Sequence, residues 1–373
     1  MNQIQVELVE HTPGSPHSGI GRYTRELQRH LSEFVTTTLT TQVDPPLSEY
    51  LTTLRHFPIG VTDHRPGSIV HFVEDLGCSQ MLWRPRRPAV ATSHDLGVIA
   101  WPPERQMHPA IDRIVWRLSY VGLKKMDAVI AVSNFSRQML IRRLRLDPGR
   151  VFTVHSGINT STFKPIPSAR QELIARYRLP AAEELSYLTY VGTEIPRKNM
   201  LTILKTLSRL PSNVMLLKVG SPGTWRARQA TYDAIRHLGL GGRVLFYEDV
   251  PEDDLPLFYC TADVYIACSF LEGFGHPILE AMACGTPVIC SNVASLPEVA
   301  GDAAILIHPT DDRRFAEAVT SVLSDTRLRK RMVSNGLERT RKFSWRKTAE
   351  GVVAVYERVA MKHAELIVSG QSG

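Results

Sequence analysis

The sequence lacks long apolar runs. No stretch of 18 consecutive apolar residues occurs among its 373 residues, so it offers no candidate for a membrane-spanning helix. The first residues, MNQIQVELVEHTPG, have neither a charged segment nor the long apolar core of a secretory signal. Cysteine is scarce too: the five cysteines show no C-x-x-C spacing and mostly lie in apolar company. We therefore expect a cytoplasmic protein with reduced, structural cysteines rather than disulfides or a zinc site.

Two ligand signatures are missing as well. Thr24 stands where a dinucleotide-binding fingerprint begun by Gly19-Ile20-Gly21 would have its third glycine, which counts against a nicotinamide-dependent dehydrogenase. No Asp-x-Asp motif occurs, and the pairs Asp253-Asp254 and Asp311-Asp312 are predicted to be helix-start or solvated carboxylates. The sequence therefore predicts no metal ion and no resident cofactor.

The composition favours a folded protein of two domains. With 373 residues and 43% hydrophobic content, the chain is long and apolar enough for two buried cores. Short apolar runs alternate with helical patterns in both halves, which is typical of α/β domains with mainly parallel sheets. Buried strands are predicted at residues 4–9, 69–73, 89–93, 128–132, 185–191, 214–219, 244–246, 264–267, 288–290 and 304–307.

Both patterns are interrupted within residues 164–178, where Lys164-Pro165-Ile166-Pro167 precedes a polar segment. Proline removes a backbone donor and fits neither a helix interior nor a central strand. We therefore predict the domain boundary at about residue 168. The first domain would cover residues 1–168 and the second residues 169–345.

The net charge of +7 lies entirely in the first half of the chain. Residues 1–180 carry 22 Lys and Arg against 15 Asp and Glu, whereas residues 181–373 carry 22 of each. Basic clusters occur at residues 83–87 and 142–145, and residues 111–125 have the pattern of an amphipathic helix. Such clusters fit contact with anionic lipid headgroups or nucleic acid. A solvated basic face is the simpler interpretation, and the alternatives stay open.

The most informative segment is SFLEGFGHPILEAMACGTPVI, residues 269–289. Gly273 and Gly275 free the backbone on either side of Phe274 for close approach to a ligand. Pro277 suits the first turn of a helix, because its missing N–H needs no partner there. A helix start of this kind binds phosphate through its unpaired N–H groups and positive dipole end.

Two glutamates belong to the same segment. Glu272 lies in the loop before the predicted helix, and Glu280 lies within the helix, where we expect it to be accessible. The two carboxylates need not share a helical face, so they can contact different parts of one ligand. The segment therefore predicts a sugar-nucleotide site. A plain strand-to-helix connection is the alternative.

Two further places in the first half could contact a ligand. Gly19 and Gly21 precede a helical pattern at residues 22–31, so their backbone can approach a phosphate or sugar. His94 ends a predicted strand, where open α/β sheets bind ligands; a capping or core histidine is the alternative. Ser133-Asn134 follows another strand and is predicted to cap the next helix rather than react.

Arg197 and Lys198 place two cations after the first strand of the second half and the Gly192-Thr193 turn. Arginine offers a planar donor fork and lysine a compact charge, so together they can neutralise a diphosphate leaving group. Two exposed surface charges are the alternative. Lys218 and Gly220, after the following strand, are expected to line a base pocket.

These segments resemble the blocks of the retaining glycosyltransferases of family 4. The resemblance covers nearly the whole chain, in the family's order, through Ser18-Gly19-Ile20-Gly21-Arg22-Tyr23, His94-Asp95, Ala131-Val132-Ser133, Val191-Gly192, Arg197-Lys198-Asn199, the two glutamates and Phe343-Ser344-Trp345. It implies the GT-B fold, in which two Rossmann-like domains face a central cleft. It also implies that a last helix, within residues 346–373, crosses back to the first domain.

The resemblance implies roles for individual residues. Glu272 would lie at the transferred sugar, Glu280 would bind the ribose hydroxyls of the donor, and His94 would contact the donor sugar. In this family the acceptor is thought to attack on the face from which the phosphate departs, so no enzymic nucleophile is assigned. The remaining donor-binding residues are expected to be Gly19, Gly21, Gly192, Gly273, Phe274 and Gly275.

The sequence thus predicts a retaining, metal-independent hexosyltransferase that uses a nucleoside diphosphate sugar. Its acceptor would be a glycan or a lipid-linked glycan, its sugar mannosyl, and its basic half could contact the inner face of a membrane; nucleic acid is not expected as a partner. A nucleotide-sugar epimerase or phosphorylase on the same fold and a basic nucleic-acid-binding module are the alternatives. A binding protein with a degenerate site is disfavoured by the intact glutamates and cations.

Overall fold

The computed structural model describes residues 4–10, 19–41, 68–82, 85–94 and 110–369. The chain forms two compact units. Unit 1 ends at Gly157 and resumes at Trp345, and unit 2 runs from Ile158 to Ser344. The last helix therefore belongs to the same unit as the first strand.

The change of unit lies between Gly157 and Ile158, earlier than the boundary that we placed near residue 168. Residues 158–167 pack on unit 2. The ring of Phe163 lies 6.1 Å from that of Tyr259, and the carbonyl oxygen of Lys164 accepts a hydrogen bond from Cys260 Sγ at 3.4 Å. The proline-rich segment interrupts the strand and helix patterns without marking the change of unit.

Unit 1 is built on a parallel sheet. The strands in its described residues are β1 (Gln5–Glu10), β2 (Thr36–Thr41), β3 (Ile69–Phe72), β4 (Ala89–Ser93), β5 (Ala128–Ala131) and β6 (Val151–Thr153). They lie in the order β2-β1-β3-β4-β5-β6, and every neighbouring pair is parallel. All residues of β3, β4 and β5 are buried, as expected for parallel strands covered on both faces.

In the part of unit 1 that precedes unit 2, the described α-helices are α1 (Gly19–Leu31), α2 (Ala110–Leu123) and α3 (Asn134–Leu144). Tyr23, Leu27 and Leu31 recur every four residues on α1 and are buried, so one stripe of this helix faces the core. Ser133 caps α3, since its Oγ accepts a hydrogen bond from the backbone N–H of Ser136 at 3.0 Å. The prediction of a cap at this position is confirmed.

Unit 2 repeats the parallel architecture. Its strands are β7 (Ser186–Val191), β8 (Val214–Val219), β9 (Val244–Tyr247), β10 (Val264–Ala267), β11 (Val288–Ser291) and β12 (Ala304–Ile307). They lie in the order β12-β11-β10-β7-β8-β9, again with parallel neighbours. Between and after them lie α4 (Ala169–Tyr177), α5 (Met200–Ser208), α6 (Trp225–His237), α7 (Leu255–Thr261), α8 (His276–Ala283), α9 (Leu296–Ala300), α10 (Asp312–Ser324) and α11 (Thr326–Thr340).

The final helix, α12 (Trp345–Val368), completes the core of unit 1. Trp345, Val352 and Tyr356 are buried in one apolar cluster with Val6 and Leu27. These positions recur at three- and four-residue spacing, which is the apolar stripe of an amphipathic helix. The packing explains why the end of the chain folds with its beginning.

The ten predicted strands all occur, to within one or two residues at their ends. Two described strands were missed. β2 has the sequence TTTLTT, whose β-branched residues favour a strand but contain no apolar run. β6 has only three residues, too few to show periodicity.

Candidate functional site

The strand order of unit 2 reverses between β7 and β10. From β7, the first strand of the unit, the sheet continues through β8 to β9 on one side and through β10 to β12 on the other. Open α/β sheets bind ligands outside the carboxyl ends of the strands at such a point. Arg197 and Lys198 follow β7 there, and Glu272 follows β10.

Arg197, Lys198 and Glu272 form one ion cluster. Lys198 Nζ donates hydrogen bonds to both carboxylate oxygens of Glu272, at 2.7 and 2.8 Å. Arg197 Nη1 lies 3.5 Å from Glu272 Oε2 and donates to the carbonyl oxygen of Leu271 at 3.2 Å. Ser269 Oγ donates to Glu272 Oε1 at 2.7 Å. The structure thus brings together three of the four residues predicted to be catalytic.

The ion cluster is largely buried and carries a net positive charge. The side chains are 20% exposed for Arg197, 16% for Lys198 and 14% for Glu272. Burial alone would raise the pKa of Glu272, but the charges of Lys198 and Arg197 outweigh it and the pKa is lowered. Two cations against one ionised carboxylate leave one positive charge, the sign required to bind a phosphate group.

Asn199 holds the two cations at the sheet edge. Arg197 and Lys198 lie in a 3-10 turn, Pro196–Lys198, which ends at Asn199 in the left-handed conformation with φ of 56°. Asn199 Nδ2 donates to the carbonyl oxygens of Cys268 at 2.9 Å and Pro309 at 2.7 Å. Asparagine tolerates left-handed backbone better than most residues. Its place directly after two cations was the available sequence signal, but we assigned it no role.

The glycine-bracketed loop leads into α8 as the sequence predicts. The helix begins at His276 with Pro277 in its first turn. Gly275 has a φ of +108°, and a Cβ atom there would approach Leu296 Cδ2 to 2.8 Å. A larger residue would therefore be strained in both backbone and packing. Phe274 is buried, and its ring lies 5.8 Å from the ring of Phe343. This packing holds the loop in place.

Ser295 fixes the same loop from a second direction. Its Oγ lies 2.9 Å from the carbonyl oxygen of Glu272 and 2.8 Å from that of Phe274. The residue is fully buried just before α9. Sequence reasoning missed it, because a serine more than twenty residues from Glu272 carries no local signal of this contact.

Glu280 is buried, contrary to our expectation of an accessible carboxylate. Its residue exposure is 3%, and Tyr259 donates a hydrogen bond from its hydroxyl to Glu280 Oε2 at 2.6 Å. The reason is position: Glu280 is the fifth residue of α8, beyond the exposed first turn, on a stretch whose residues from Ile278 to Ala283 are all buried. Tyr259 lies on α7, which sequence spacing could not bring next to Glu280.

Gly192 and Gly220 directly follow the neighbouring strands β7 and β8 and lie next to each other. Gly192 has a φ of +147° and Gly220 a φ of +98°, and a Cβ on Gly220 would lie 3.5 Å from the carbonyl oxygen of Gly192. A Cβ on Gly192 would meet Tyr190 Oη at 2.9 Å. Both positions therefore require glycine for backbone conformation.

Lys218 does not line a base pocket. It is fully buried on β8, its Nζ lies 3.2 Å from Glu194 Oε1, and it donates to the carbonyl oxygen of Ser221 at 3.0 Å. Burial lowers the pKa of Lys218, opposed by the nearby carboxylate of Glu194. Arg228 Nη2 pairs with the same carboxylate at 2.6 Å. This network supports the loop after β7 rather than facing a ligand.

In unit 1, α1 begins at Gly19, so Gly19 and Gly21 lie in the first turn of the helix rather than in a loop before it. Gly21 is buried and Gly19 is exposed. The sequence pattern places the start of this helix at residue 22, because the glycines before it carry no side chain that could show apolar periodicity.

His94 lies directly after β4, as predicted. Its Nε2 lies 2.7 Å from the carbonyl oxygen of Val73, and its backbone N–H donates to Asp75 Oδ2 at 3.3 Å. The ring also makes an edge contact with Tyr23, with centroids 4.4 Å apart. These contacts fix the imidazole within unit 1, whereas the other three predicted catalytic residues belong to unit 2.

Three of the four carboxylates in the two acidic pairs have structural partners. Asp254 accepts hydrogen bonds from Arg176 at 2.5 Å and Tyr177 at 2.6 Å, and Asp311 caps α10 through the backbone N–H of Arg314. Asp312 pairs with Arg209. Across the part of the chain that the structure describes, no three His, Cys, Asp or Glu side chains are grouped as metal ligands. Within the same residues, no helix is both long and apolar enough to span a bilayer.

Comparisons with known proteins identify the family. The family model for glycosyl transferases group 1 matches residues 173–339, and that for glycosyltransferase family 4 matches residues 44–162. O-antigen chain mannosyltransferase B from Escherichia coli is 31% identical over 275 residues, covering 72% of this chain and 70% of that protein. The chain belongs to the group 1, family 4 glycosyltransferases. The resemblance drawn from the sequence is confirmed.

Other relatives of this glycosyltransferase differ in name. D-inositol 3-phosphate glycosyltransferase from Salinispora tropica is 28% identical over 294 residues, covering 74% of this chain and 60% of that protein. Alpha-maltose-1-phosphate synthase from Mycolicibacterium smegmatis is 29% identical over 288 residues, covering 73% of each. Relatives of similar identity therefore carry different names, and family membership alone does not fix the acceptor.

Solved structures share the fold of this glycosyltransferase. Sucrose-phosphate synthase from Thermosynechococcus elongatus has a TM-score of 0.77 at 23% identity, over 96% of this chain and 99% of that one. Anabaena HepE, solved in complex with UDP-glucose, has a TM-score of 0.74 at 18% identity, over 97% of this chain and 100% of that one. With two parallel six-stranded sheets, these likenesses confirm the GT-B fold.

Proposed function

We propose that this glycosyltransferase moves a mannosyl group from a nucleoside diphosphate sugar to a hydroxyl of a glycan or lipid-linked acceptor, with retention of anomeric configuration and without a metal ion. The observation that carries the proposal is the cluster of Arg197, Lys198 and Glu272 at the strand-order reversal of unit 2. The name of the Escherichia coli relative supports the mannosyl group.

The two cations act on the leaving group. As the bond between sugar and phosphate breaks, the diphosphate gains negative charge, and a fixed positive group already in place stabilises that charge without reorganisation. Arg197 and Lys198 are held by the Asn199 contacts and by Glu272. The positive dipole end at the start of α8 adds to the attraction of an anion.

The two glutamates act on different parts of the donor. Glu272 accepts hydrogen bonds from hydroxyl groups of the transferred sugar, and Lys198 and Ser269 fix the orientation of its carboxylate. Glu280 accepts hydrogen bonds from the ribose hydroxyls, and the hydrogen bond from Tyr259 orients its carboxylate. No side chain is assigned as a nucleophile; the departing phosphate helps take the proton of the acceptor, which attacks from the same face.

The basic half of the chain contacts a membrane through the exposed face of α2 and the turn after it. Leu118 and Val121 are 36% and 48% exposed, and Arg117, Lys124 and Lys125 are exposed beside them. Spacings of three and four residues place these side chains on one helical face. Apolar side chains rimmed by cations suit the interface of an anionic bilayer, where a lipid-linked acceptor would reside.

A vesicle experiment tests this face. Anionic vesicles should retain the protein at low salt and release it at high salt, and neutral vesicles should retain little. Leu118→Glu with Val121→Glu should abolish retention. The matched control is Leu201→Glu with Trp225→Glu, which adds the same charge at two exposed apolar side chains of unit 2 and should leave retention unchanged. Equal retention by both variants would refute the assignment to α2.

The catalytic proposal is tested by a donor screen followed by product analysis. Thermal shift with UDP, GDP and ADP sugars identifies the donor, because a ligand that binds only the folded state raises its stability. Release of nucleoside diphosphate should depend on an added acceptor, persist in excess chelator and give a product with the donor's anomeric configuration. Release without acceptor would favour an epimerase, a need for inorganic phosphate would favour a phosphorylase, and inversion or strict metal dependence would overturn the mechanism.

A further inference from the structure

Two cysteine thiols meet beside the segment that carries Glu280. Cys260 lies near the end of α7, and Cys284 is the residue that ends α8. The Cys260 thiol donates hydrogen bonds to the carbonyl oxygens of Lys164 at 3.4 Å and Cys284 at 3.6 Å, so its sulfur lies against the residue that carries the second thiol. Helices α7 and α8 therefore bring together two cysteines that are 24 residues apart in sequence.

Cys260 differs from the other cysteines in exposure. All five cysteines fall in described residues, and all five are free thiols. Cys78, Cys268 and Cys290 are 0% exposed and Cys284 is 4% exposed, whereas Cys260 is partly exposed. Only Cys260 can meet a dissolved oxidant directly, and its immediate partner is the buried Cys284.

The surroundings give the two thiols different acidities. The hydrogen bond from Cys284 lowers the pKa of Cys260, against the effect of burial, and a backbone hydrogen bond from Ile166 lowers it further. The same thiol contact, together with burial, raises the pKa of Cys284. Since the thiolate is the reactive form, Cys260 is the sulfur that attacks and Cys284 the one that resolves.

We infer that Cys260 and Cys284 form a reversible oxidation site that converts between a dithiol and a disulfide, with hydrogen peroxide as the oxidant. The Cys260 thiolate attacks one peroxide oxygen, the O–O bond breaks, and Cys260 becomes a sulfenic acid while hydroxide leaves and is protonated to water. The Cys284 sulfur then attacks the Cys260 sulfur, forming the S–S bond and releasing a second water. The two sulfurs lose two electrons to the peroxide, and a dithiol reductant returns them.

The site is coupled to Glu280 by direct contacts. Tyr259, the neighbour of Cys260, donates to Glu280 Oε2 at 2.6 Å and accepts at its carbonyl oxygen from Thr286 Oγ1 at 2.6 Å. The backbone N–H of Cys284 donates to the carbonyl oxygen of Glu280 at 3.0 Å. A disulfide needs sulfurs about 2.05 Å apart, so forming it draws the ends of α7 and α8 together and shifts Tyr259 against Glu280.

Oxidation should therefore weaken donor binding, a consequence that rests on the proposed role of Glu280. The oxidation site itself does not depend on that role. Mapping the bond and measuring nucleotide affinity separate the two claims.

The bond is mapped by treating the full chain with hydrogen peroxide, blocking the remaining thiols and locating the disulfide by mass spectrometry. No Lys or Arg lies between Arg243 and Arg313, so the chain is cut at Asp and Glu instead of with trypsin. We expect a Cys260–Cys284 bond that a dithiol reductant reverses. Cys260→Ser should abolish it, and the control Cys290→Ala should retain it. Pairing with another cysteine, or irreversible oxidation of Cys260 without a bond, would overturn the inference.

Affinity for UDP and GDP is then measured by calorimetry in both redox states. Whichever nucleotide binds should bind at least about fivefold more weakly after oxidation, a change of about 1 kcal/mol, and reduction should restore the affinity. Cys260→Ser should show no change with peroxide. A mapped disulfide with unchanged affinity would refute the coupling alone, whereas absence of nucleotide binding in the reduced protein would count against the proposed function and leave the mapped bond standing.

Discussion

Glu272 of unit 2 and His71 of unit 1 are both largely buried, yet the first is charged and the second is neutral. In unit 2, Glu272 is ion-paired with Lys198 beyond the carboxyl ends of the strands, and its lowered pKa keeps it charged. In unit 1, His71 lies within β3, fully buried, 2.6 Å from Tyr356 Oη and 2.8 Å from Thr92 Oγ1. Burial lowers the pKa of His71 to about 3, so it stays neutral.

The difference follows from where each group can find a partner. Groups after the last residue of a strand can reach cations on neighbouring loops, which makes ionisation favourable. His71, inside the sheet of unit 1, is fully buried and is satisfied by two neutral hydroxyl groups, those of Tyr356 and Thr92. Charge for ligand chemistry is therefore concentrated at the edge of unit 2, while His71 supports the packing of α12 on unit 1.

The largest effect is expected when the two cations of unit 2, Arg197 and Lys198, are removed. Arg197→Ala with Lys198→Ala should lower the rate of transfer by several powers of ten, since each fixed positive group contributes about 2–4 kcal/mol in the transition state. Nucleoside diphosphate release in excess chelator is the measurement. A transfer rate lowered by less than tenfold would mean that Arg197 and Lys198 pair with Glu272 but do not stabilise the leaving group.

The double variant also leaves Glu272 without its cations at 14% exposure, which costs stability. Adding Glu272→Gln removes the unpaired carboxylate and should recover stability. Melting curves of the double and triple variants therefore show how much of the stability loss comes from Glu272. Arg313→Ala with Arg314→Ala removes two adjacent exposed cations at the start of α10. That control should leave the rate unchanged.

The sequence predicted the elements better than it predicted the exposure of individual side chains. Apolar alternation is a local signal, so strands such as β4, β8 and β10 could be located to the residue. The placement of Arg197, Lys198 and Glu272 followed from family blocks at strand ends. Their direct pairing could not be predicted, because it joins residues 74 positions apart in sequence.

The burial of Glu280 shows where local reasoning fails. A helix start predicts accessible polar groups only for the first turn, and Tyr259 approaches Glu280 from another helix. The same applies to Ser295, which binds the Glu272 loop from 23 residues away. The five cysteines are free thiols, as the sequence predicts, whereas the contact between Cys260 and Cys284 joins residues 24 positions apart and leaves no local signal.

A second prediction concerns the neutral histidine of unit 1. The folded-state pKa of His71 is lowered from 6.5 to about 3, so below pH 6.5 the unfolded chain binds a proton that the folded chain does not. This group's contribution to stability is present above pH 6.5 and is lost as the pH falls toward 3, with a slope that steepens below pH 6.5 to at most about 1.4 kcal/mol per pH unit. Urea unfolding of unit 1 at pH 7, 6 and 5 should show this slope.

His71→Gln should be less stable at pH 7 but should lose this part of the acid slope. Tyr356→Phe is the matched variant, because it removes the hydroxyl 2.6 Å from His71 Nδ1 while keeping the buried, titrating imidazole. It should be destabilised with the slope intact. Equal slopes in wild type and His71→Gln would show that the histidine is not a source of acid sensitivity.

The smallest predicted effect distinguishes a structural from a donor-binding role for Glu280. Glu280→Ala leaves the buried Tyr259 hydroxyl without its acceptor and should lower stability by about 1–3 kcal/mol; Tyr259→Phe removes the same hydrogen bond from the other side. Only Glu280→Ala also removes the proposed acceptor for ribose, so it should weaken nucleotide affinity by about 1–3 kcal/mol, whereas Tyr259→Phe removes only the hydrogen bond that orients this carboxylate and should weaken the affinity less. Calorimetric titration paired with melting curves measures both quantities. If the two variants lose stability alike and bind nucleotide alike, Glu280 supports α7 and α8 only and does not belong to the donor site.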